Sequence, residues 1–517
     1  MISMPAMIER AARHNPNGIC TRFEGREFSW SQTCDQIARI GAAIATFGLA
    51  EGDRVGILSL NSDRYYQAIF AIPWGGCAMV PLNTRWALPE NNYAVTDSGL
   101  RVLFFDEAFV DQTEQLLADV ETLEAVIYMG DGDCPPWAES YLDLLANNQP
   151  IPLPKQSGDT MAGIFYTGGT TGFPKGVMQS HCAIWASAMG ALPVFGMNRQ
   201  TVYLHAAPMF HMADFAGSMG ATLSCGTNII MRAFDPEGTL DIFGEEKITH
   251  ALLVPAMIKM MLNHPAVSKA NMSSVQCVAY GASPMPAVTL ESFMQQWPTV
   301  GLVQAYGQTE LAPIITMLPM EDHKAGSTKL SSAGLPTAVS EVRIVGEGGV
   351  DCAEGVSGEI VVRGPHTMQG YWNKPEQTEQ ALKDGWVFTG DAGYLDDEGY
   401  LFIVDRVKDM VVTGGENVFT TEVENAVLSH DAVLDVAVIG IPDEEWGEAV
   451  HAIVILHPDQ TVTTKELQDH CRERIAGYKL PKGITFREEP LPLSGAGKVL
   501  KIELRKPFWK GRDRQVG

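Results

Sequence analysis

The feature that most constrains the fold is an alternation, over most of the chain, of short apolar runs with longer segments of helical period. "GDRVGILSL" and "GCAMVPL" read as strands flanking the helical "SDRYYQAIFAIPW", and "RVLFF", "AVIYM" and "GIFY" continue the series as buried strands. Strands alternating with helices predict an α/β fold. From about residue 331 the character changes to "EVRIVGEG", "GEIVVRG" and "GYLFIVD", short strands with glycine turns that suit a small barrel or hairpin layer. After "DRVKDMVVTGGENV" a third pattern begins. "TTEVENAVLSH" is helical, with Thr421 and Glu424 spaced as a capping box, and "DVAVIGI", "AVHAIVIL" and the helix "TKELQDHCRERIA" follow. At 517 residues the chain exceeds one compact core. The expected architecture is a large N-terminal domain of layered α/β subdomains with a small β-barrel-like part, residues 1–404. A boundary at 405–408 separates it from a small α+β C-terminal domain, residues 409–517.

Charge and cysteine usage narrow the class. Thirty-seven basic against 62 acidic side chains give a net charge of −25, a surface that repels nucleic acid and anionic membranes. Any phosphate site must therefore be built locally from a few cations and backbone amides. Nine cysteines stand far apart with no CxxC pair, which argues against a zinc site or a disulfide framework and suits a reducing cytosol. No apolar run reaches the ~18 residues of a membrane span. "AIWASAMGALPVFGM" stops short and contains Pro193. The opening "MISMPAMIERAARHNP" lacks the pattern of a signal peptide, so a soluble cytoplasmic protein is expected.

Four stretches carry chemistry. "YTGGTTGFPKG", residues 166–176, sets glycines and threonines around Lys175 at the end of a strand. Glycines let the backbone turn its N–H groups onto an anion, hydroxyls add donors, and the lysine adds charge. It is not a Walker A loop, because Gly176 follows the lysine. "YGQTE", residues 306–310, offers Glu310 for a hard cation and Tyr306 for a base. "FTGDAGYLDDEGYLFIVDRVKDMVVTGGENV" places Asp391 and Arg406 at strand ends, suited to ribose hydroxyls. "PLSGAGKVLK" carries Lys498 between glycine and apolar residues. Taken singly, each also reads as a surface loop, a strand-end turn or a solvated side chain.

In this order and spacing they resemble the signature set of the adenylate-forming superfamily, which includes acyl- and aryl-CoA synthetases, luciferases and peptide-synthetase adenylation domains. The resemblance runs through "GREFSWSQ", "VPLNTR", "GASPMP", "GYWNKPEQT" and "GIPDEEWGEAV" and covers essentially the whole chain. It implies two half-reactions. A carboxylate attacks the α-phosphate of ATP, releasing pyrophosphate, and a thiol, commonly that of coenzyme A, then displaces AMP. By residue matching, Thr167, Gly168, Gly169, Thr170, Thr171, Gly172 and Lys175 form the phosphate loop. Glu310, with Thr167, serves Mg²⁺, and Thr309 lies beside the phosphates. Gly281, Ala282, Ser283, Tyr306 and Gly307 frame the adenine, and Asp391 and Arg406 hold the ribose. Lys498 bridges the carboxylate and the α-phosphate. Lys408 matches a hinge about which the small domain turns between the two steps, bringing Gly414 and Gly415 to the pantetheine path. Arg85, Trp446, Tyr478 and Lys482 match positions that contact the nucleotide of CoA, and an indole offers adenine a stacking face.

The acid pocket passes His211, Met212, Ala213 and Phe215, then Gly281, Ala305, Gly307 and "LAP" at 311–313. These residues offer no partner for a second charge, so an apolar monocarboxylate is expected. His211 lines or gates this pocket and is counted with the catalytic set. The small Ala186, Gly190 and Ala191 lengthen the cavity and favour a fatty acid, while "YGQTELAP" is similar to 4-coumarate-type ligases and keeps an aryl acid open. A peptide-synthetase domain would need an aspartate where His211 stands, unless Asp214 substitutes. A luciferase-like oxygenase shares every motif, and a silent nucleotide-binding protein is opposed by the intact charged residues. The cofactors implied are ATP, Mg²⁺ and coenzyme A. The partner is a small carboxylic acid, with no nucleic acid and no integral membrane segment, and a homodimer is neither required nor opposed by any motif.

Overall fold

The computed structural model describes residues 2–168, 174–406, 409–414, 416–493 and 499–510, and only the backbone of Glu347 and Asn417. The chain forms two compact units, Met1–Glu341 with Val362–Val387, and Val342–Val361 with Phe388–Gly517. This division concerns compactness, and the hinge expected at 405–408 concerns movement.

The first unit holds two large sheets. One runs in the order Gly370–Tyr371, Lys175–Ser180, Met161–Thr167, Ala78–Pro81, Arg54–Leu58, Val102–Phe105, Ala125–Tyr128 and Glu139–Ser140. Its strands are parallel from Met161–Thr167 onward, and the first two pair antiparallel. The second sheet has nine strands, with Gly301–Gly307, Cys277–Gly281, His250–Leu253 and Val202–His205 parallel at its centre. Central parallel strands are covered on both faces, which is why Val102–Phe105 and His250–Leu253 are buried at every residue and read as continuous apolar runs.

The helix Asp63–Trp74 is buried along its whole length, as a helix enclosed on all sides must be. Its two charged residues are satisfied internally. Asp63 takes a bidentate pair from Arg26 at 2.8 Å for both contacts, and Arg64 donates to the carbonyls of Met129 and Gly130 at 2.6 Å. The largest apolar clusters of this unit gather Trp30, Tyr66, Phe70 and Phe215 in one core and Tyr203, Phe243, Tyr280 and Phe293 in another.

The strand Trp386–Leu395 enters the second unit at Phe388 and there pairs antiparallel with Leu401–Arg406, while Val433–Asp443 and Gly447–Leu456 form a long antiparallel pair extended by Val411–Thr413 and Gly483–Phe486. Helices Thr420–Leu428 and Thr464–Arg472 close a valine-rich core around Val411, Val423, Val438 and Leu467. Thr463 and Glu466 make a reciprocal capping box at the second helix. The box expected from Thr421 and Glu424 does not form. The first helix starts at Thr420, and Glu424 instead accepts the Val438 N–H at 2.8 Å and pairs with Lys501 at 2.7 Å.

Candidate active site

The hairpin of Met161–Thr167 and Lys175–Ser180 brackets the Gly/Thr loop, with Thr167 opposite Lys175. The Thr167 hydroxyl reaches the Lys175 carbonyl at only 3.5 Å, and Gly168 is exposed with open space where a side chain would stand. Residues Gly169, Thr170, Thr171 and Gly172 lie outside the described residues, as do Lys408, Gly415 and Lys498. Lys175 is half-buried and its Nζ lies 4.8 Å from the ring centroid of Tyr371. Tyr371 comes from the edge strand Gly370–Tyr371, which pairs with the lysine's own strand. Its hydroxyl donates to Glu310 Oε1 at 2.8 Å.

Glu310 sits in the single 3₁₀ turn Thr309–Leu311 that follows the strand Gly301–Gly307. That turn is pinned from two sides. Gln179 Nε2 donates to the Thr309 carbonyl at 2.6 Å, and the Met368 N–H donates to the Glu310 carbonyl at 2.9 Å. Cation and carboxylate, 135 positions apart in the chain by their numbers 175 and 310, thus meet on one phenol ring. Among the described residues Lys175 and Glu310 make no ion pair with each other, and Glu310 Oε2 takes no hydrogen bond.

Beside this cluster the parallel strands Cys277–Gly281 and Gly301–Gly307 end together, the place where open α/β sheets bind ligands. A Cβ on Gly281 would stand 2.1 Å from the Ala305 carbonyl oxygen, and one on Gly307 would stand 1.8 Å from that of Pro313. Both strand ends are therefore closed to side chains. Ala282 follows with φ +65°, then the half-buried Ser283, while Tyr306 is half-buried and already engaged by a neighbour.

His211 caps the helix Met212–Ser224, its Nδ1 accepting the Ala213 N–H at 3.3 Å. Phe210, Met212 and Phe215 around it are buried. Asp214 is fully buried and held by His205 Nδ1 at 2.7 Å, with the Tyr203 hydroxyl at 3.4 Å. His205 Nε2 in turn contacts Asn228 Oδ1 at 3.0 Å. Asp214 is thus committed to the core and does not replace the ammonium-binding aspartate of a peptide synthetase. Gly190 also departs from expectation. A Cβ there would meet Val339 Cγ2 at 2.7 Å, so its missing side chain is filled by that neighbour and adds no cavity length. Arg85 is exposed on the loop after Ala78–Pro81, its N–H on Asn83 Oδ1 at 2.9 Å.

In the second unit Asp391 and Arg406 stand opposite each other across a strand pair, joined at 2.7 Å, with Asp391 buried. Trp446, 44% exposed, lies on Gly414: the Gly414 N–H donates to the Trp446 carbonyl at 2.9 Å, and a Cβ on Gly414 would stand 2.5 Å from the indole. Lys482 Nζ lies 4.9 Å from the indole centroid and 3.6 Å from Asp443, which its neighbours' N–H groups hold below the usual carboxylate range. Tyr478 is exposed under the ammonium of Lys479, 5.6 Å from its ring centroid.

Residues 8–372 match the AMP-binding enzyme family, and residues 422–498 match the AMP-binding enzyme C-terminal domain. The chain is an AMP-binding enzyme. It belongs to the adenylate-forming superfamily and is an AMP-forming acid–thiol ligase. It is 35% identical over 500 residues to feruloyl-CoA synthase of Amycolatopsis sp, covering 96% of this chain and 98% of that one. It is 36% identical over 502 residues to the medium/long-chain-fatty-acid–CoA ligase FadD8 of Mycobacterium tuberculosis, covering 94% and 86% respectively. Among solved structures, O-succinylbenzoate coenzyme A synthetase (MenE) from Bacillus subtilis, in complex with ATP and magnesium ion, superposes with a TM-score of 0.83 at 28% identity, over 96% of this chain and 98% of that one.

The sequence of this AMP-binding enzyme marks most of the cluster but misses Tyr371, Gln179 and Met368. "GYWNKPEQT" contributes to the resemblance, yet no residue in it receives a role. The available signal is a tyrosine in a glycine-led turn, and nothing local says that its hydroxyl reaches Glu310. No helix among the described residues is long and apolar enough to cross a membrane.

Proposed function

We propose that this AMP-binding enzyme activates an apolar monocarboxylic acid, an aliphatic fatty acid in the first reading, with ATP and transfers the acyl group to coenzyme A. The observation that carries the reading is the acid-pocket wall, where Phe210, Met212 and Phe215 are buried and Asp214 is bound to His205. A buried second charge on the substrate would find no partner among those residues. The fatty-acid arm draws support from the 36% identity to a fatty-acid–CoA ligase. An aryl acid is the second reading, favoured by the 35% identity to feruloyl-CoA synthase and by Val339 filling the space at Gly190.

Roles follow from chemistry. Lys175 and the loop from Thr167 stabilise negative charge on the phosphates as pyrophosphate leaves. Glu310 fits a Mg²⁺ ion: it is half-buried, one oxygen is aimed by Tyr371, and the other is not engaged by any described residue. With ATP bound, that ion would neutralise phosphate charge. Asp391 and Arg406 serve the ribose hydroxyls, Tyr306 the base, and Lys498 the attacking carboxylate. Trp446, Lys482 and Gly414 serve coenzyme A, the indole and ammonium offering its nucleotide a stacking face and a counter-charge. A homodimer and a cytoplasmic location accompany this reading as proposals.

The deciding measurement is pyrophosphate release from ATP and Mg²⁺ over acetate, C6, C12 and C16 fatty acids, benzoate and 4-coumarate, with and without coenzyme A. CoA-dependent turnover that peaks on an aliphatic acid supports the first reading. A peak on the aromatic acids replaces it with the second, and silence across the panel would overturn both.

A further inference from the structure

Tyr371 is held more firmly than a wall residue needs to be. It is 7% exposed, its N–H donates to Thr378 Oγ1 at 2.9 Å, and that hydroxyl donates to the Lys374 carbonyl at 2.9 Å. Its strand is fixed to Val177 and Met178. The ring therefore has little freedom, and it touches two functional groups of the phosphate cluster. Its hydroxyl binds one oxygen of Glu310, and its face carries the Lys175 ammonium. In a protein of net charge −25, a lysine beside a carboxylate would ordinarily close onto it as an ion pair. An incoming nucleotide would then have to break that pair. Here the aromatic ring takes the cation on its negative face, and among the described residues the direct pair does not form.

We propose that Tyr371 is a positioning residue for adenylation, aiming one Glu310 oxygen and holding Lys175 apart from that carboxylate so that cation and carboxylate reach a nucleotide and its divalent ion separately. The proposal rests on reading Lys175 and Glu310 as the phosphate and cation residues. Two substitutions separate the contacts: Tyr371→Phe removes the hydroxyl and keeps the ring, and Tyr371→Leu removes both. ATP binding without acid is measured by calorimetry, first in EDTA and then across a Mg²⁺ series, with melting curves confirming that each variant is folded.

Tyr371→Phe is expected to leave metal-free ATP affinity within twofold while raising the half-saturating Mg²⁺ concentration about tenfold, as loss of a hydrogen bond to a charged group implies. Tyr371→Leu is expected to weaken metal-free ATP binding as well, by about threefold. Glu310→Gln and Lys175→Ala are measured alongside. If Glu310→Gln shifts the Mg²⁺ dependence and Tyr371→Phe does not, the positioning role is wrong while the site stands. If Glu310→Gln leaves the Mg²⁺ dependence unchanged, the underlying reading fails, and the proposal with it.

Discussion

At the scale of single residues, the site depends on positions whose importance lies in what stands opposite. Gly307 is the sharpest case, since any side chain would enter the Pro313 carbonyl at 1.8 Å. Gly307→Ala must push two backbones apart. A stability loss of about 1–3 kcal/mol is expected, as for overpacking, with ATP–pyrophosphate exchange falling at least tenfold. Urea unfolding and the exchange assay check the two arms, and an unchanged exchange rate would remove Gly307 from the nucleotide set. The sequence shows Gly307 only as part of "YGQTE", so its place in a motif is legible and the carbonyl it faces is not. Tyr371 and Asp214 teach the same lesson in opposite directions. A residue without a role gains one from Glu310, and a candidate ligand loses its role to His205.

At the scale of elements, the strands were legible because burial on both faces leaves continuous apolar runs, as in "RVLFF", found at Val102–Phe105. The start of the helix Thr420–Leu428 was not, because its partners are remote. The Thr420 N–H and hydroxyl both bind Asp405 Oδ2, the hydroxyl at 2.7 Å. Lys501 Nζ reaches the Thr420 hydroxyl at 2.5 Å and Glu424 at 2.7 Å, and one turn later Arg505 pairs with Asp409 at 3.0 Å. The helix Lys501–Trp509 thus ties Asp409, Thr420 and Glu424 together. Burial pushes the Asp405 and Glu424 carboxyls up, and Lys501 opposes that push. Lys501→Ala leaves the buried Asp405 and the half-buried Glu424 without their cation and is expected to cost about 3 kcal/mol at pH 7. Because folded-state values are raised, protonation relieves the defect. The variant's deficit should shrink as pH falls from 7 towards 5, and denaturant midpoints at both values test this.

At the scale of the whole molecule, pH should act through buried histidines. Burial lowers both His181 and His366 to about 4. Each folded value lies below the ordinary one near 6.5, so the unfolded chain binds more protons between those limits. Stability from these groups is therefore full above about pH 6.5 and is lost as pH falls towards 4, by about 2 kcal/mol for each between pH 6.5 and 5. Replacing His181 with Gln should flatten the fall in denaturant midpoint over that interval, and an unchanged slope would contradict the assignment. The α/β class and the run of strands were readable from periodicity, whereas the assembly of the Lys175–Tyr371–Glu310 cluster was not, because three distant stretches supply it. That cluster also sets a timetable for the ribosome. The strand Gly370–Tyr371 covers the edge of Lys175–Ser180, and about 190 residues must be translated after Ser180 before it exists. At ordinary elongation rates the nascent chain carries that open edge for on the order of ten to forty seconds. An uncovered edge recruits stray strands, so a chaperone that shields nascent polypeptide should raise the yield of full-length protein more than that of a chain already released.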